Sequence, residues 1–408
     1  MGLILVHHDT DSPALYGAVA AAVAAARNCG FMHIAARFDT SRHADATQHV
    51  VSTGGLAASG LCWFERLSGK PVLPVATVEA VVGAAGLADI VVPIHTAFVS
   101  DAGAAAALSS AAKSAGVPIE KIDVIELADH FADQATRKVL CWRDCFGRIV
   151  LDQPKAAIKA ALNIALVGAK SDHLDVYPAA LASLADAADS LSLQLNIDFV
   201  DPVQFREADA GETLEPYAGV LLPGGADMKN VAGQTAVAAF ALENGLPVVG
   251  LCLGMQTMAT AVAWRAFGRS NANLAEADPD AGIKTFLAMA GEQKADGDLL
   301  PEHRTGDQQI EVTSGTRLAG LLAAGTAIRC NHRFRLNPSL VGDLEAQGLR
   351  ISARGVGGAV VDAIEVVDHP FYMGMQGHPE LSSRPGKPHP LIVAFLQATI
   401  RKQSSAAS

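Results

Sequence analysis

Aromatic side chains make up only 5% of the 408 residues. A core poor in large rings must be filled by small side chains, which suits helices packed closely on a sheet. Basic charge is also short: 31 Lys and Arg against 42 Asp and Glu leave a formal charge of -11. No basic stripe is present, so a nucleic-acid partner is not expected. No apolar run reaches the roughly 18 residues of a membrane helix. The stretch 18–26 is apolar but short, and it ends at Arg27 and Asn28. No signal-peptide pattern opens the chain, so it is expected to be cytoplasmic and off the membrane. The six cysteines are scattered, and Cys141 and Cys145 form the only close pair. No second pair completes a four-ligand zinc site, so ordinary reduced thiols and no metal are expected.

Half the residues are apolar. That supplies ample material to bury, and a chain of this length calls for two or three domains. Short apolar runs alternate with alanine-rich helical stretches, which predicts α/β structure with mostly parallel sheets. Strands are expected near residues 2–6, 31–38, 71–75, 90–94 and 122–127, with a helix over 104–115. A second series begins at Asn163 and includes strands at 195–200, 219–222, 246–249, 326–330, 349–353, 360–367 and 371–375. Helices are expected over 177–187, 236–243, 256–267 and 390–402. The polar stretch 268–315 reads as an irregular excursion. The expected organisation is an α/β domain over 1–155, a linker over 156–162, a second domain over 163–402 and a disordered tail over 403–408.

The most informative segment is Gly250-Leu251-Cys252-Leu253-Gly254-Met255, between an apolar run and a helical stretch. A strand that turns sharply into a helix, with glycines flanking a cysteine, is the pattern of a nucleophile elbow. Such a turn aims the sulfur out of the sheet and sets unpaired helix N–H groups beside any oxyanion formed there. A thiolate is favoured at that position. On this segment alone, a buried cysteine in a tight strand–helix corner is the other reading. Upstream lies Pro223-Gly224-Gly225, again after an apolar run. Downstream lies Gln376-Gly377-His378-Pro379-Glu380.

Together these segments resemble the class I glutamine amidotransferase family, and more specifically the glutaminase half of CTP synthase. The resemblance runs from about Asn163 to Ile400. It includes 163–168, the acidic segment 272–279, the segment Asn331 to Asn337, and the block from His369 to Pro390 with Ser383-Arg384-Pro385. It implies a flavodoxin-like fold for the C-terminal domain. It also implies a reaction in which Cys252 attacks the side-chain amide of L-glutamine, His378 moves the protons and Glu380 orients the imidazole. The oxyanion N–H groups would come from Gly225 and Leu253. Substrate binding would involve Gly224, Gln256 through an amide contact, Glu276 toward the α-ammonium and Arg333 toward the α-carboxylate. For Glu276 and Arg333, solvated surface charge is the alternative.

The sequence also departs from that pattern. Pro-Gly-Gly continues as Ala226-Asp227-Met228 where the family has Phe-Gly, so the aromatic lid over glutamine is missing. Gln376 is followed by Gly377 where the family has Phe. The family's Gly-Gly-Thr-Met-Arg-Leu-Gly stretch has no clear counterpart around Gly306 to Val312. The place of the family's phosphate loop reads His7-His8-Asp9-Thr10-Asp11-Ser12-Pro13, and no glycine loop with a lysine occurs in 1–155. His7, His8, Asp9 and Asp11 end a first strand, where ligands bind in open α/β sheets. A metal or phosphorylated substrate fits there, and so does a polar loop that caps the next helix through Asp11 or Ser12. His95 and Thr96 form a similar pair.

Three functions remain open at this level. The first is a glutamine amidotransferase that passes ammonia to an unidentified acceptor, on the N-terminal domain or on a partner synthetase subunit, with no cofactor for the glutaminase step. The second is a divergent CTP synthase, which would need ATP and Mg. The third is a non-catalytic regulatory or assembly protein. A homo-oligomer is compatible with each.

Overall fold

The computed structural model describes all residues except 11, 37, 39–44, 96–102, 155–160, 295 and 407–408. The chain divides into two compact units. The first comprises Met1–Ala157 with Ser171–Ala182 and Ser383–Pro385, and the second comprises Ile158–Lys170, Ser183–Ser382 and Gly386–Ser408. The expected linker falls mostly outside the described residues. Its last two positions, 161 and 162, already belong to the strand Ala161–Leu166.

The first unit is built on a seven-stranded sheet. Its parallel part orders Gly30–Phe31, Ile90–Ile94, Leu3–His7 and Ile119–Glu126 side by side. Helix Ala18–Arg27 packs on one face with Ile4, Val6 and Val91. Helix Gly103–Ser114 packs on the other with Leu3, Leu5 and Val92. Alternate side chains of a strand point to opposite faces, so each apolar strand feeds both layers. The sheet then continues as an antiparallel meander through His130–Asp133, Val139–Arg143 and Ile149–Val150. These short strands mix polar with apolar residues and carry no clear sequence signal. Two expected strands are corrected. Of 31–38 only Phe31 lies in a strand, paired through Gly30–Phe31, and residue 37 lies outside the described set. The run 71–75 makes no strand. Pro71 and Pro74 lack the N–H a ladder needs, and Leu73 and Val75 are exposed.

The second unit carries an eight-stranded sheet. Five parallel strands stand in the order Gln194–Phe199, Ala161–Leu166, Gly219–Leu222, Val248–Leu251 and Tyr372–Met375. Val360–Val366, Leu349–Gly355 and Glu311–Val312 extend the sheet antiparallel. The helices Val231–Asn244 and Leu253–Phe267 contribute Val237, Ala238, Met258 and Val262 to its largest core. Small residues let these helices lie close to the sheet. The excursion 268–315 is more ordered than its composition suggests. Phe286–Ala288 pairs with Phe334–Leu336, and Arg304–Gln309 pairs with Ala327–His332. The tail is corrected as well, because the last helix, Pro390–Ala406, runs through most of the segment expected to be disordered.

Candidate active site

Three adjacent parallel strands of the second unit end at one edge. Leu222 pairs with Gly250, and Leu251 pairs with Met375. Their carboxyl ends therefore release Pro223-Gly224-Gly225, Cys252 and Gln376-Gly377-His378 side by side. This is the edge at which open α/β sheets bind ligands.

Cys252 sits between the strand Val248–Leu251 and the helix Leu253–Phe267, with φ 50° and ψ -106°. A left-handed φ is rare for a residue with a side chain and stores strain at the turn. The Cys252 N–H donates to the Met375 carbonyl at 2.8 Å, which ties the turn to the neighbouring strand. Both flanking glycines are required by space. A Cβ on Gly250 would lie 2.6 Å from the carbonyl carbon of Gly254, and one on Gly254 would strike the Leu222 carbonyl oxygen. Gly224 is needed for a different reason. A Cβ there would lie 3.1 Å from Cε1 of His378 and 3.3 Å from Cβ of Cys252, filling the space between the two side chains. A Cβ on Gly225 would meet nothing within 4 Å, so that position faces open space. Leu253 opens the helix, where a backbone N–H has no intrahelical partner.

Nδ1 of His378 lies 2.7 Å from Oε1 of Glu380. With Nδ1–H donating to the carboxylate, Nε2 is the nitrogen left to exchange a proton with the sulfur, and it is buried without a hydrogen-bond partner. Burial by itself would push the His378 imidazole down. The charges of Glu380 and Cys252 outweigh it and hold the group well above its ordinary range. The sulfur has two further neighbours. Its S–H is placed to donate to the Asn331 carbonyl at 3.7 Å. The Gln376 side-chain amide donates to Sγ, also at 3.7 Å. Gln256 donates in turn to Oε1 of Gln376 at 3.4 Å. Gln256, the residue expected to offer an amide contact, thus donates to a second buried amide beside the sulfur.

Glu276 and Arg333 are both exposed, and they come together electrostatically. Partial loss of solvent raises the Glu276 carboxyl, and the positive charge of Arg333 opposes that rise. All the residues expected at the site thus fall into two groups. Gly224, Cys252, Leu253, Gln256, His378 and Glu380 gather at the strand ends with Gly225, while Glu276 and Arg333 face each other at the surface.

Beside the sulfur runs the strand Ala327–His332, and what holds it was not evident in the sequence. Arg304 stands opposite His332 in the ladder and pairs with Asp362 through both carboxylate oxygens. Arg304 and Asp362 are completely buried. His332 donates from Nδ1 to the Phe334 carbonyl at 2.9 Å, and its Nε2 lies 3.3 Å from Nη1 of Arg304. Burial, and then the Arg304 charge, push its imidazole down to about 3. Ligand atoms of Cys330, His332 and Asp362 lie within 4.8 Å of one another. The Arg304 guanidinium already fills the place of a cation there, and burial pushes the Cys330 thiol up to about 12. Gly377 is explained too. A Cβ there would lie 2.9 Å from the Arg329 carbonyl oxygen, so the neighbouring strand leaves no room for a phenylalanine. Elsewhere, Cys141 is buried and Cys145 is exposed, which does not favour a shared ligand role.

The family model for glutamine amidotransferase class-I matches residues 172–398, more than half of the chain. The chain belongs to the class I glutamine amidotransferase family. It is 35% identical to a CTP synthase of Deinococcus radiodurans over 257 residues, which cover 60% of this chain and 47% of that one. Against a CTP synthase of Thermus thermophilus it is 33% identical over 263 residues, covering 63% and 47%. It thus spans about half the length of these curated relatives. Among solved structures, the glutaminase domain of a Trypanosoma brucei CTP synthase with bound acivicin superposes with a TM-score of 0.53 at 27% identity, covering 59% of this chain and 94% of that one. The matched region is the glutaminase-like one. No described helix is long and apolar enough to cross a membrane.

Proposed function

We propose that this chain hydrolyses L-glutamine to glutamate and ammonia through a thioester on Cys252. The observation that carries the reading is the convergence of Gly224, Cys252 and His378 at three neighbouring strand ends, with Glu380 2.7 Å from the imidazole. In this reading Nε2 of His378 takes the thiol proton as Sγ attacks the amide carbon. The N–H groups of Gly225 and Leu253 receive the oxyanion. His378 returns the proton to the departing ammonia, and water then cleaves the thioester. Arg333 holds the substrate carboxylate and Glu276 its ammonium. None of these steps calls on a metal or a nucleotide. The ammonia passes to an acceptor bound by the N-terminal unit or by a partner.

Glutamate release by the wild-type chain and by Cys252→Ala tests this. Activity is expected in the first and none in the second, with both folded. Equal rates in the two chains would sink the assignment. A glutamine-analogue electrophile should label Cys252 and spare Cys141 and Cys145. Because 1–155 lacks a glycine loop with a lysine, ATP and free ammonia are not expected to convert UTP to CTP.

A further inference from the structure

The sheet of the first unit has a switch point of the kind at which α/β sheets bind ligands, and the family match does not account for it. The chain leaves Leu3–His7 through helix Ala18–Arg27 on one face of the sheet. It leaves the adjacent strand Ile90–Ile94 through helix Gly103–Ser114 on the opposite face. Two neighbouring parallel strands whose connections depart to opposite sides open a gap at their carboxyl ends, and open α/β sheets bind ligands in such gaps.

Histidines occupy this one. His8 follows the first strand, and its N–H donates to the Ile94 carbonyl at 3.1 Å. His95 follows the second strand, and its Nε2 accepts from the Thr10 N–H at 2.8 Å. The ring of Tyr16 lies 5.9 Å from that of His95, and the ring of Phe131 meets His8 edge-on at 5.3 Å. His8 is only 5% exposed, and neither of its ring nitrogens has a partner in good hydrogen-bond geometry, the Leu15 backbone having the smallest effect among its polar neighbours. A buried imidazole with both nitrogens unsatisfied is costly and marks a group that awaits a partner. Burial, and then His95, push its imidazole down to about 4, against smaller opposing effects of Asp9 and the Leu15 backbone. The side chain is therefore neutral and offers one N–H donor and one bare nitrogen. The helix that begins at this edge, Ala18–Arg27, has Gly17 at its N-cap and no side-chain cap. Its N-terminus adds partial positive charge. Ser12, expected to cap, bonds the Asp175 carbonyl instead. Asp11 lies outside the described residues. A metal is disfavoured, because among the described residues no three ligand atoms converge here and Nε2 of His95 is already engaged.

We propose that this switch point binds a small oxyanion-bearing molecule, a phosphate or a carboxylate, that hydrogen-bonds to His8. The proposal stands apart from the glutaminase reading and does not depend on Cys252.

The test is nuclear magnetic resonance of the full-length chain, following the His8 imidazole signals during titration with inorganic phosphate, pyrophosphate and acetate at millimolar concentrations. A saturable shift of the His8 signals with one anion class is expected, and the three anions distinguish phosphate from carboxylate. In the variants binding is read from the His95 imidazole signals, whose shift should persist in Cys252→Ala and be lost in His8→Leu. Should His8→Leu fail to fold, His8→Asn keeps a polar side chain and should weaken binding at least fivefold. No shift with any of the three anions overturns the proposal. So does an equal affinity in the His8 variants, which would mean an adventitious ion only.

Discussion

The Gln376 side-chain amide donates to the sulfur of Cys252 at 3.7 Å, with Gln256 holding it from behind. Gln376 is completely buried and Gln256 nearly so. Their geometry is therefore fixed before any substrate arrives, as preorganised stabilisation requires. The donor favours negative charge on sulfur. Replacing Gln376 with Met keeps the bulk and removes the N–H. A hydrogen bond of this kind is worth about 1 kcal/mol, or roughly fivefold in an equilibrium. Alkylation of Cys252 by iodoacetamide near neutral pH should slow by about that factor. An unchanged alkylation rate would show that the amide serves only packing.

Arg333→Ala should raise the Michaelis constant for glutamine far more than it lowers turnover. The substrate carboxylate does not change during the reaction, so contacts to it act on binding rather than on the chemical step. A lost charged hydrogen bond costs about 1.5–3 kcal/mol, roughly ten- to a hundredfold in affinity. Glu276→Ala should behave alike. His378→Ala should instead collapse turnover. Steady-state kinetics on the three variants decides the matter, and an unchanged Michaelis constant in Arg333→Ala returns that residue to ordinary surface charge.

Glu380→Gln should lower the pKa of His378, because the carboxylate is one of the charges that hold it high. A histidine raised in the folded state contributes stability that is complete below the unfolded value of about 6.5 and is lost as pH rises through the folded value. The variant should therefore be destabilised more at about pH 6 than at strongly alkaline pH. Urea midpoints of both chains across that range measure the difference. A penalty independent of pH would point to packing in place of charge.

Buried histidines help set the acid limit of the fold, His8, His173 and His332 among them. Burial holds His8 and His173 down to about 4 and His332 down to about 3. Each binds a proton near pH 6.5 when unfolded and not when folded. Stability is thus present above about pH 6.5 and falls below it, by up to about 1.4 kcal/mol per pH unit for each group. Denaturation curves at successive pH values should show the unfolding midpoint dropping steadily from about pH 6.5 toward 5. In His332→Gln the slope should shrink, and an identical slope would remove His332 from the account.

The local chemistry of the candidate site was legible in the chain. Gly250 to Gly254 reads as a strand, a sharp turn and a helix because glycines are needed wherever backbone or neighbouring atoms come too close for a Cβ. The elbow and the strand Gly219–Leu222 stand where the pattern put them. Turn and helix signals act over a few residues, and those residues are adjacent in the sequence.

Tertiary structure decided what lies beside what. Gly224, Cys252 and His378 are far apart along the chain, and only the strand order brings them within reach. The Arg304–Asp362 pair joins residues from separate strands, and neither residue signals its partner locally. Gly377 departs from the family pattern for a reason visible only in the neighbouring strand, whose Arg329 carbonyl stands in the way. Likewise His8 reads in the sequence as one of a polar cluster at a strand end, where a ligand fits and so does a helix-capping loop. Its burial, and its place where two connections part to opposite faces, follow from sheet topology. Strand pairing is a contact between distant residues, so it is settled by the packing of the whole core and not by any one segment.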